Sequence, residues 1–291
     1  MITDLDTALQ DKEQVAAFLR QAAELLQAQG ANPFRVGAYR KAADGVLAYA
    51  GDLRELFEQK GLQGLDELPG VGAGIASAIG EMLRTGRWSQ LERLRGSLDP
   101  VRLFQTVPGI GPGLARRLHD ELHVDTLEGL EAAAHDGRLD AVPGVGARRA
   151  AAIRAALAAI LERSRLRRRA GGRAPVEEPP VETLLDVDRE YREKAARGQL
   201  PTIAPKRFNP DGKAWLPVLH THRADWSFTA LFSNTARAHE LGRTHDWVVV
   251  YFYDGEHVEA QRTVVTETRG PLAGRRVVRG REAECVARYA R

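Results

Sequence analysis

The sequence predicts a mainly α-helical N-terminal half followed by a separate small α+β domain. In the first half, Ala, Leu, Glu and Arg recur at helical spacing over residues 10–165, with few β-branched runs. A Pro-Gly turn motif interrupts this helical pattern three times. Beyond Leu200 the composition changes, because three of the four tryptophans and two strand-like segments lie there.

The composition sets outer limits on the protein class. The chain has 291 residues, of which 43% are hydrophobic and 28% charged, which suits two domains with buried cores. No segment comes near the roughly 18 consecutive apolar residues that a membrane span requires. The acidic start lacks the segments of a signal peptide. Cys285 is the single cysteine, which excludes an internal disulfide framework and a cysteine-built zinc site. We therefore expect a reducing, cytoplasmic location.

The positive charge is concentrated in two parts of the chain. The formal net charge is +3, but residues 1–160 hold 18 Lys+Arg against 21 Asp+Glu. Residues 161–175 hold 6 basic against 1 acidic residue, and residues 199–291 hold 14 against 10. A basic run of this kind is typical of a flexible arm on DNA or of a soluble linker. The helical half therefore needs another way to hold an anion.

One helix of the first half has clear end signals. Over residues 32–51, Asn32 is placed to cap the helix, Pro33 occupies the first turn, and Gly51 marks the end.

The C-terminal part predicts two helices and a β-hairpin. VETLLDVDREYREKAARG predicts an amphipathic helix, and SNTARAHELGR a helix capped by Ser233 or Asn234 and stopped at Gly242. DWVVVYFY and VEAQRTVVTET predict the two strands of a hairpin, with Asp254 and Gly255 at its turn.

The internal repeat carries the functional signal. It occurs as LPGVGAGIASAI (68–79), VPGIGPGLARRL (107–118) and VPGVGARRAAAI (142–153). The pattern predicts a tight turn between two helices. Its first glycine permits a backbone geometry that a Cβ would hinder, and its second opens the next helix and allows close approach of another backbone. The apolar residue between the two glycines is expected to pack into the core.

Such a turn points unpaired amide groups outward at a helix N-terminus, which is a favourable site for a phosphate. Contacts of this kind do not read bases, so they predict sequence-independent nucleic-acid binding. The alternative is that the motif only forms a compact helical hairpin. A dinucleotide site is not supported, because no strand precedes the motif and the GxGxxG spacing is absent. The predicted DNA contacts of the hairpins are Gly70, Gly72, Ala73, Gly74, Gly109, Gly111, Gly113, Arg116, Gly144, Gly146, Ala147, Arg148 and Arg149.

These repeats are helix-hairpin-helix motifs, and residues 10–162 resemble the non-catalytic front end of X-family DNA polymerases, including DNA polymerase beta. The resemblance rests on NPFRVGAYRKAA (32–43), LPGVGAGIASAIGEMLRTGRWSQLERL (68–94), VPGIGPGLARRL and LEGLEAAAHDGRLDAVPGVG (127–146). It implies a four-helix lyase-type domain with one hairpin over 1–97 and a tandem hairpin domain over 98–162. A basic Gly/Pro linker over 163–180 and the α+β domain over 181–291 follow.

The resemblance also implies specific binding groups. The first domain of the family grips the 5′ side of a DNA gap, and its phosphate-pocket positions carry Arg35 and Tyr39 here, with Lys41 nearby. Hairpin carbonyls of the family can hold a monovalent cation such as Na⁺ or K⁺, and no other cofactor is expected. The corresponding carbonyls belong to Leu68, Val71, Val107 and Ile110.

The chain departs from the family at its catalytic positions. The lyase nucleophile is a lysine in the family, whereas Ala78 stands at that position and Gly74 replaces a neighbouring pocket lysine. The polymerase signature, a Gly-Ser turn followed by paired aspartates, is missing. Asp186 and Asp188 form a DxD pair in a charged helical stretch, without a preceding Gly-Ser. We expect neither activity.

The C-terminal domain offers weaker candidates. His220, His222 and Asp225 could bind a metal, but a surface role is expected because only 69 residues follow His222. The arginines of GRRVVRGRE (274–282) either contact phosphate or form a solvated edge strand. The aromatic residues fit a core better than a base-stacking surface. They are Trp215, Trp226, Phe228, Phe232, Trp247, Tyr251 and Tyr253.

The sequence thus favours a non-enzymatic protein that binds gapped, nicked or branched DNA in repair, near the nucleoid and with repair proteins as partners. Two alternatives stay open at this point. One is a nuclease or lyase whose chemistry lies in the C-terminal domain, and the other is a protein-interaction adaptor that uses its hairpins as a scaffold.

Overall fold

A computed structural model of the chain describes residues 4–97, 99–169, 178–253 and 259–290. Within these ranges, three hydrophobic cores follow one another along the chain. The first two belong to helical units and the third to a sheet with helices. The predicted fold class, a helical half and a separate α+β domain, is confirmed.

The first unit buries the apolar face of a long helix against four shorter helices. Val15, Leu19 and Leu26 of the first helix are buried, at the spacing that the sequence predicted. The third helix is interrupted at Gly61, where φ is +60°. The helices are α1 (Asp4–Ala28), α2 (Pro33–Ala48), α3 (Leu53–Asp66), α4 (Ala73–Thr85) and α5 (Ser89–Leu94).

The predicted start of α2 is confirmed and its predicted end is wrong. The Asn32 side chain accepts a hydrogen bond from the Phe34 amide at 2.9 Å, and Pro33 occupies the first turn. The helix ends at Ala48 rather than at Gly51. The chain must become extended before Gly51 because Asp52 caps the next helix, where its side chain accepts from two amides.

The second unit contains two further hairpins and a long last helix. Its helices are α6 (Pro100–Phe104), α7 (Pro112–Leu122), α8 (Leu127–His135), a 3-10 turn (Arg138–Ala141) and α9 (Ala147–Arg169). The helix α9 continues past residue 162, so the first part of the predicted linker is helical. The rest of the basic linker, including Arg173, lies in residues 170–177, outside the described part of the chain.

The third unit is an antiparallel sheet of six strands in the order β1-β2-β3-β4-β5-β6. The predicted hairpin is confirmed as β4 paired with β5, while its turn residues Asp254 and Gly255 lie outside the described residues. The strands are β1 (Thr202–Ile203), β2 (Leu216–Arg223), β3 (Trp226–Phe232), β4 (Val248–Tyr253), β5 (Ala260–Thr266) and β6 (Arg276–Val278). The helices are α10 (Val181–Ala196), α11 (Ala236–Glu240) and α12 (Glu282–Tyr289).

The cap of α11 differs from the prediction. Thr235, rather than Ser233 or Asn234, accepts a hydrogen bond from the Ala238 amide at 3.1 Å. The Ser233 amide donates to the Trp247 carbonyl and its hydroxyl lies 3.3 Å from that of Thr235, so Ser233 is held beside the sheet, before the helix begins.

The two faces of the sheet have different neighbours. The helix α10 covers one face, where the Tyr191 hydroxyl accepts from the Phe232 amide at 2.8 Å and donates to the Pro217 carbonyl at 3.0 Å. Side chains alternate along a strand, so Thr229 and Tyr251 lie on the other face. This face packs on both helical units. None of the described helices is long and apolar enough to cross a membrane.

Candidate nucleic-acid interface

The three repeats form the same turn three times. In each copy, the amide of the residue after the Pro-Gly pair donates to the carbonyl of the residue before that pair, at 3.0 to 3.1 Å. The middle glycines Gly70, Gly109 and Gly144 have φ of +78°, +86° and +82°. Proline before a glycine of positive φ is the signature of a type II turn. We call these turns corner 1 (68–72), corner 2 (107–111) and corner 3 (142–146).

Each corner has a buried anchor and an exposed rim. The residues between the glycines, Val71, Ile110 and Val145, are between 4% and 6% exposed, so they fix the corner to its core. The Pro-Gly pair and the second glycine of every corner are exposed to solvent. In all three copies, as predicted, the apolar residue between the glycines is buried and the turn itself faces solvent.

The helices after corners 1 and 2 begin without a side-chain cap. Gly72 and Gly111 stand at the N-cap positions with extended backbone, and neither carries a side chain that could accept from the first-turn amides. These amides are left for solvent or a ligand, and the positive end of the helix dipole lies beside them. An anion at such a position would accept hydrogen bonds from the free amides and would be attracted by the helix dipole.

At corners 2 and 3 the second glycine does not have the packing role that the sequence suggested. A Cβ built at Gly111 or Gly146 meets nothing within 4 Å, so no backbone approaches either position. Close approach occurs at corner 1 instead, through another glycine. A Cβ on Gly45 of α2 would lie 1.9 Å from the Pro69 carbonyl oxygen, and one on Gly70 would lie 3.0 Å from the Lys41 backbone.

Four arginines surround corners 2 and 3. Arg116 and Arg148 are exposed and have no carboxylate partner among the described residues. Arg149 donates to the Gly144 carbonyl at 2.9 Å, so it braces corner 3 from outside. Arg117, which the sequence analysis missed, reaches from α7 to within 3.5 Å of a Cβ built on Gly144. It therefore places an exposed positive charge between the two corners.

The predicted phosphate-pocket residues lie at the boundary with the sheet. Arg35 is 8% exposed and donates to the Thr229 hydroxyl at 3.3 Å, with its guanidinium carbon 4.6 Å from the centre of the Tyr253 ring. Glu259 lies 3.8 Å from the same guanidinium. The Tyr39 hydroxyl donates to Gln90 Oε1 at 3.0 Å. Lys41 is exposed beside corner 1.

A second buried arginine shares the same carboxylate. Arg93 is 3% exposed, forms an ion pair with Glu259, and stacks on the Tyr251 ring at 3.5 Å. Burial lowers the pKa of Arg93, but the charges of Glu259, Tyr251 and Asp125 and the hydrogen bond to Glu259 together outweigh it, so this pKa is raised and the guanidinium stays protonated. The sequence carried no signal for this pair, because 166 residues separate Arg93 from Glu259.

A second network joins the tandem-hairpin unit to the sheet. The Tyr251 hydroxyl donates to Asp125 at 2.6 Å, and the other oxygen of Asp125 lies 2.8 Å from His119 Nε2. Burial raises the pKa of Asp125, but the hydrogen bond and charge of His119, the Tyr251 hydrogen bond and the charge of Arg93 together outweigh it, so this pKa is held below its usual range. These buried polar contacts hold the second unit against the strand that also contacts the first.

Ala78, which stands where the resemblance implies a lyase nucleophile, carries no amine. Ala78 is 8% exposed on α4, where it lines a cleft of about 170 Å³ with Gly74, Ser77 and Glu81. Lys12 donates to the Tyr49 carbonyl, and Lys60 pairs with Glu67. Neither lysine lines this cleft.

The His-x-His candidates occupy one face of β2, as alternation requires. His220 lies 3.0 Å from the Thr229 hydroxyl and 2.9 Å from Gln29 Oε1. Burial, followed by the charges of Arg35 and Arg93, lowers the pKa of His220 to about 3. His222 is exposed. The described residues contain no group of three His, Cys, Asp or Glu side chains that could hold a metal.

Internal partners occupy most charges of the C-terminal unit. Asp188 is fully buried and binds Arg276 and Arg192, while Asp186 pairs with Arg223 and Arg189. The edge-strand arginines are likewise paired, Arg279 with Glu267 and Arg281 with Glu284. This region is therefore a weak candidate for phosphate contacts.

The aromatic candidates divide between core and boundary. Phe228 and Phe232 belong to the sheet core, and Tyr251 is buried against Arg93 and Asp125. Trp215, Trp226, Trp247 and Tyr253 are half-buried. The expectation that these rings serve mainly as core agrees with the burial of the first three.

Family models match both helical units. Residues 10–88 match a helix-hairpin-helix domain, and residues 101–159 match a SAM-like helix-hairpin-helix tandem. Each helical unit is therefore similar to a helix-hairpin-helix family. A curated relative, the DNA polymerase/3'-5' exonuclease PolX of Bacillus subtilis (strain 168), is 32% identical over 137 residues. The match spans 46% of this chain and 23% of that relative, so the resemblance to the front part of X-family polymerases is confirmed and covers under a quarter of the relative.

Proposed function

We propose that this chain binds DNA without sequence preference, through backbone contacts of its helix-hairpin-helix corners, at gapped, nicked or branched sites during repair. The observation that carries the proposal is the threefold recurrence of one exposed turn, with a buried anchor and a glycine at the start of the next helix. Amides and glycines in this geometry fit a phosphodiester closely because no side chain intervenes.

The charge distribution supports the same proposal. The helical half is acidic overall, with 18 basic against 21 acidic residues over 1–160, yet Arg116, Arg117 and Arg148 beside corners 2 and 3 have no carboxylate partner among the described residues. Local amides and these unpaired arginines would attract phosphate even though the net charge of the unit does not. A single DNA strand running from corner 2 to corner 3 would pass Arg117.

We propose that the hairpin carbonyls hold a monovalent cation. The carbonyls of Leu68 and Val107 each accept one turn hydrogen bond, which leaves a second lone pair on each oxygen. The carbonyls of Leu68 and Val71 at corner 1, and separately those of Val107 and Ile110 at corner 2, would hold Na⁺ or K⁺. Such an ion would add positive charge beside a bound phosphate.

The proposal is tested by adding one charge at a corner. Asp and Asn at Gly111 are equally sized N-cap residues that suit the extended backbone there. Both should leave the free energy of unfolding unchanged or slightly higher. Fluorescence anisotropy with a gapped duplex should show that Gly111→Asp binds roughly tenfold more weakly than Gly111→Asn, because a carboxylate repels phosphate and occupies the amides.

The same pair of substitutions at Gly198 provides the control. Gly198 follows α10 on the opposite face of the sheet, and a Cβ there meets nothing within 4 Å. Its φ is +64°, a conformation that Asp and Asn adopt more readily than other side chains, so both variants carry a similar strain. Gly198→Asp and Gly198→Asn should bind DNA alike. A complex that neutralises roughly 4–6 phosphates should also give a slope of about −4 to −5 in log affinity against log salt. Equal binding by Gly111→Asp and Gly111→Asn, or no binding at low salt, contradicts the proposal and favours the adaptor alternative.

A further inference from the structure

A cleft of about 310 Å³ lies between the first hairpin and the C-terminal sheet. Gly70, Gly72 and Gly74 line one side of it, and Ser227 and Tyr253 line the other. The volume lies in the range of small-ligand sites. Because the C-terminal unit supplies one wall, this cleft does not exist in the helical half alone.

The floor of the cleft holds two hydrogen-bond donors without partners. Gln90 is 8% exposed, and the Tyr39 hydroxyl donates to its Oε1. This contact fixes the orientation of the amide and leaves Nε2 as a donor with no acceptor. The Nε of Arg35 is buried and likewise lacks a partner. Donors left unpaired in this way favour a ligand that presents acceptors.

The charges around the cleft oppose a phosphate. Of the side chains that line it, Arg35 carries a positive charge, while Asp225 and Glu259 are acidic. Glu259 already pairs with Arg35 and with Arg93. A terminal phosphate in the cleft would be repelled by the Glu259 carboxylate. That carboxylate also pairs with Arg35, the cation that would otherwise bind the phosphate. A neutral acceptor avoids this repulsion.

Aromatic rings complete the walls. Tyr253 is half-buried and lies under the Arg35 guanidinium, and Tyr39 lies behind Gln90. Burial raises the pKa of Tyr253 to about 12, so its hydroxyl stays neutral. Flat apolar surface beside buried donors suits a planar heterocycle that carries carbonyl and ring-nitrogen acceptors.

We infer that this cleft takes the base of an unpaired nucleotide, and that Glu259 makes it reject a terminal phosphate. The inference rests on the proposed DNA binding and gives the C-terminal unit a part in it. Corner 1 would hold the sugar-phosphate backbone at the rim while Gln90 donates to the base. Preference for an unpaired base then adds to the sequence-independent grip of corners 2 and 3.

The test uses the full chain and a duplex with an unpaired nucleotide, either in a one-nucleotide bulge or at the edge of a gap. This nucleotide is 2-aminopurine or an abasic analogue, and each duplex is prepared with and without a 5′-phosphate. The wild type should bind the base-containing DNA roughly fivefold or more tightly than the abasic DNA, with a change in 2-aminopurine fluorescence. A 5′-phosphate should alter its affinity less than about twofold.

Two variants act from opposite walls, so the test does not depend on one of them folding. Gln90→Leu removes the donor, and Ser227→Phe fills the cleft from β3. Either should abolish the preference for base over abasic DNA while leaving the affinity for abasic DNA, and Glu259→Gln should create a preference for the 5′-phosphate.

Equal affinity of the wild type for base and abasic DNA would overturn the inference, as would a 5′-phosphate that strengthens wild-type binding roughly tenfold or more. The inference would also be overturned if Gln90→Leu and Ser227→Phe both still bound the base-containing DNA more tightly than the abasic DNA. Failure of the proposed function looks different, because then neither DNA binds at low salt.

Discussion

The guanidinium carbon of Arg93 lies 3.5 Å from the centre of the Tyr251 ring, and this contact joins the first helical unit to the sheet. The same arginine pairs with Glu259, and the Tyr251 hydroxyl binds Asp125 of the second helical unit. One strand, β4, thus holds both helical units through a single tyrosine.

Removing the buried arginine should destabilise the protein strongly. Arg93→Met leaves Glu259 with only the more distant Arg35, and the loss of a partner from a buried ion pair costs about 3–5 kcal/mol. Urea denaturation should show this loss. Arg102→Met, which removes an arginine whose side chain is 76% exposed from its pair with Asp99, should cost less than about 1 kcal/mol. Similar losses for both variants would show that the Arg93 pair contributes nothing beyond a surface pair.

A methyl group on α2 should displace corner 1. The Cβ of Gly45→Ala would lie 1.9 Å from the Pro69 oxygen, so the helix and the corner must separate. We expect a loss of about 1–3 kcal/mol in the free energy of unfolding. Gly37→Ala on the same helix meets nothing within 4 Å and should stabilise the helix by up to about 1 kcal/mol. Equal thermal midpoints for the two variants would contradict the close contact.

Acid should weaken the boundary through His220. The folded state keeps the pKa of His220 near 3 because the ring is buried near Arg35 and Arg93, whereas the unfolded chain protonates near pH 6.5. Folding therefore favours the neutral form of His220. The stability that this ring contributes at neutral pH is lost as the pH falls from about 6.5 toward 3.

The free energy of unfolding should fall by up to about 1.4 kcal/mol for each pH unit in this range. Urea denaturation of wild type and His220→Gln at pH 7, 6, 5 and 4 should show that the variant loses less stability with acid. Gln preserves hydrogen bonding to Thr229 and Gln29 without titrating. Parallel curves would mean that His220 titrates normally in the folded protein.

No Schiff base should form at the lyase position. Incubation with an abasic-site duplex and borohydride should give no efficient covalent trapping, because Ala78 has no amine and neither Lys12 nor Lys60 lines the cleft. Electrophoresis of the trapped products is the measurement. Efficient trapping would show lyase chemistry, and its loss in Lys41→Ala would assign it to the exposed lysine beside corner 1.

Local signals in the sequence were enough for the corners. Pro-Gly followed by an apolar residue and glycine fixes the turn, and the helix caps at Asn32 and the pairing of β4 with β5 likewise depend on nearby residues. The end of α2 and the cap of α11 were wrong because neighbouring elements decided them. Asp52 requires an extended chain before α3, and the sheet holds Ser233.

The boundary between the units could not be predicted. The tertiary partners of Arg35 lie about two hundred residues away in sequence, namely Thr229, Tyr253 and Glu259. Gly45 gave no signal, since a glycine inside a helix shows its purpose only when the opposing backbone is known. Arg117 resembled any other basic residue on an amphipathic helix until the two corners were placed together.

The attachment of both helical units to β4 fixes the distance from corner 1 to corners 2 and 3. Phosphates along a duplex are also regularly spaced, so a set of contact points that cannot spread apart will suit only certain paths of the double helix. Under the proposed function, a substitution at Tyr251 should therefore change which path of the duplex the protein prefers without altering any corner residue.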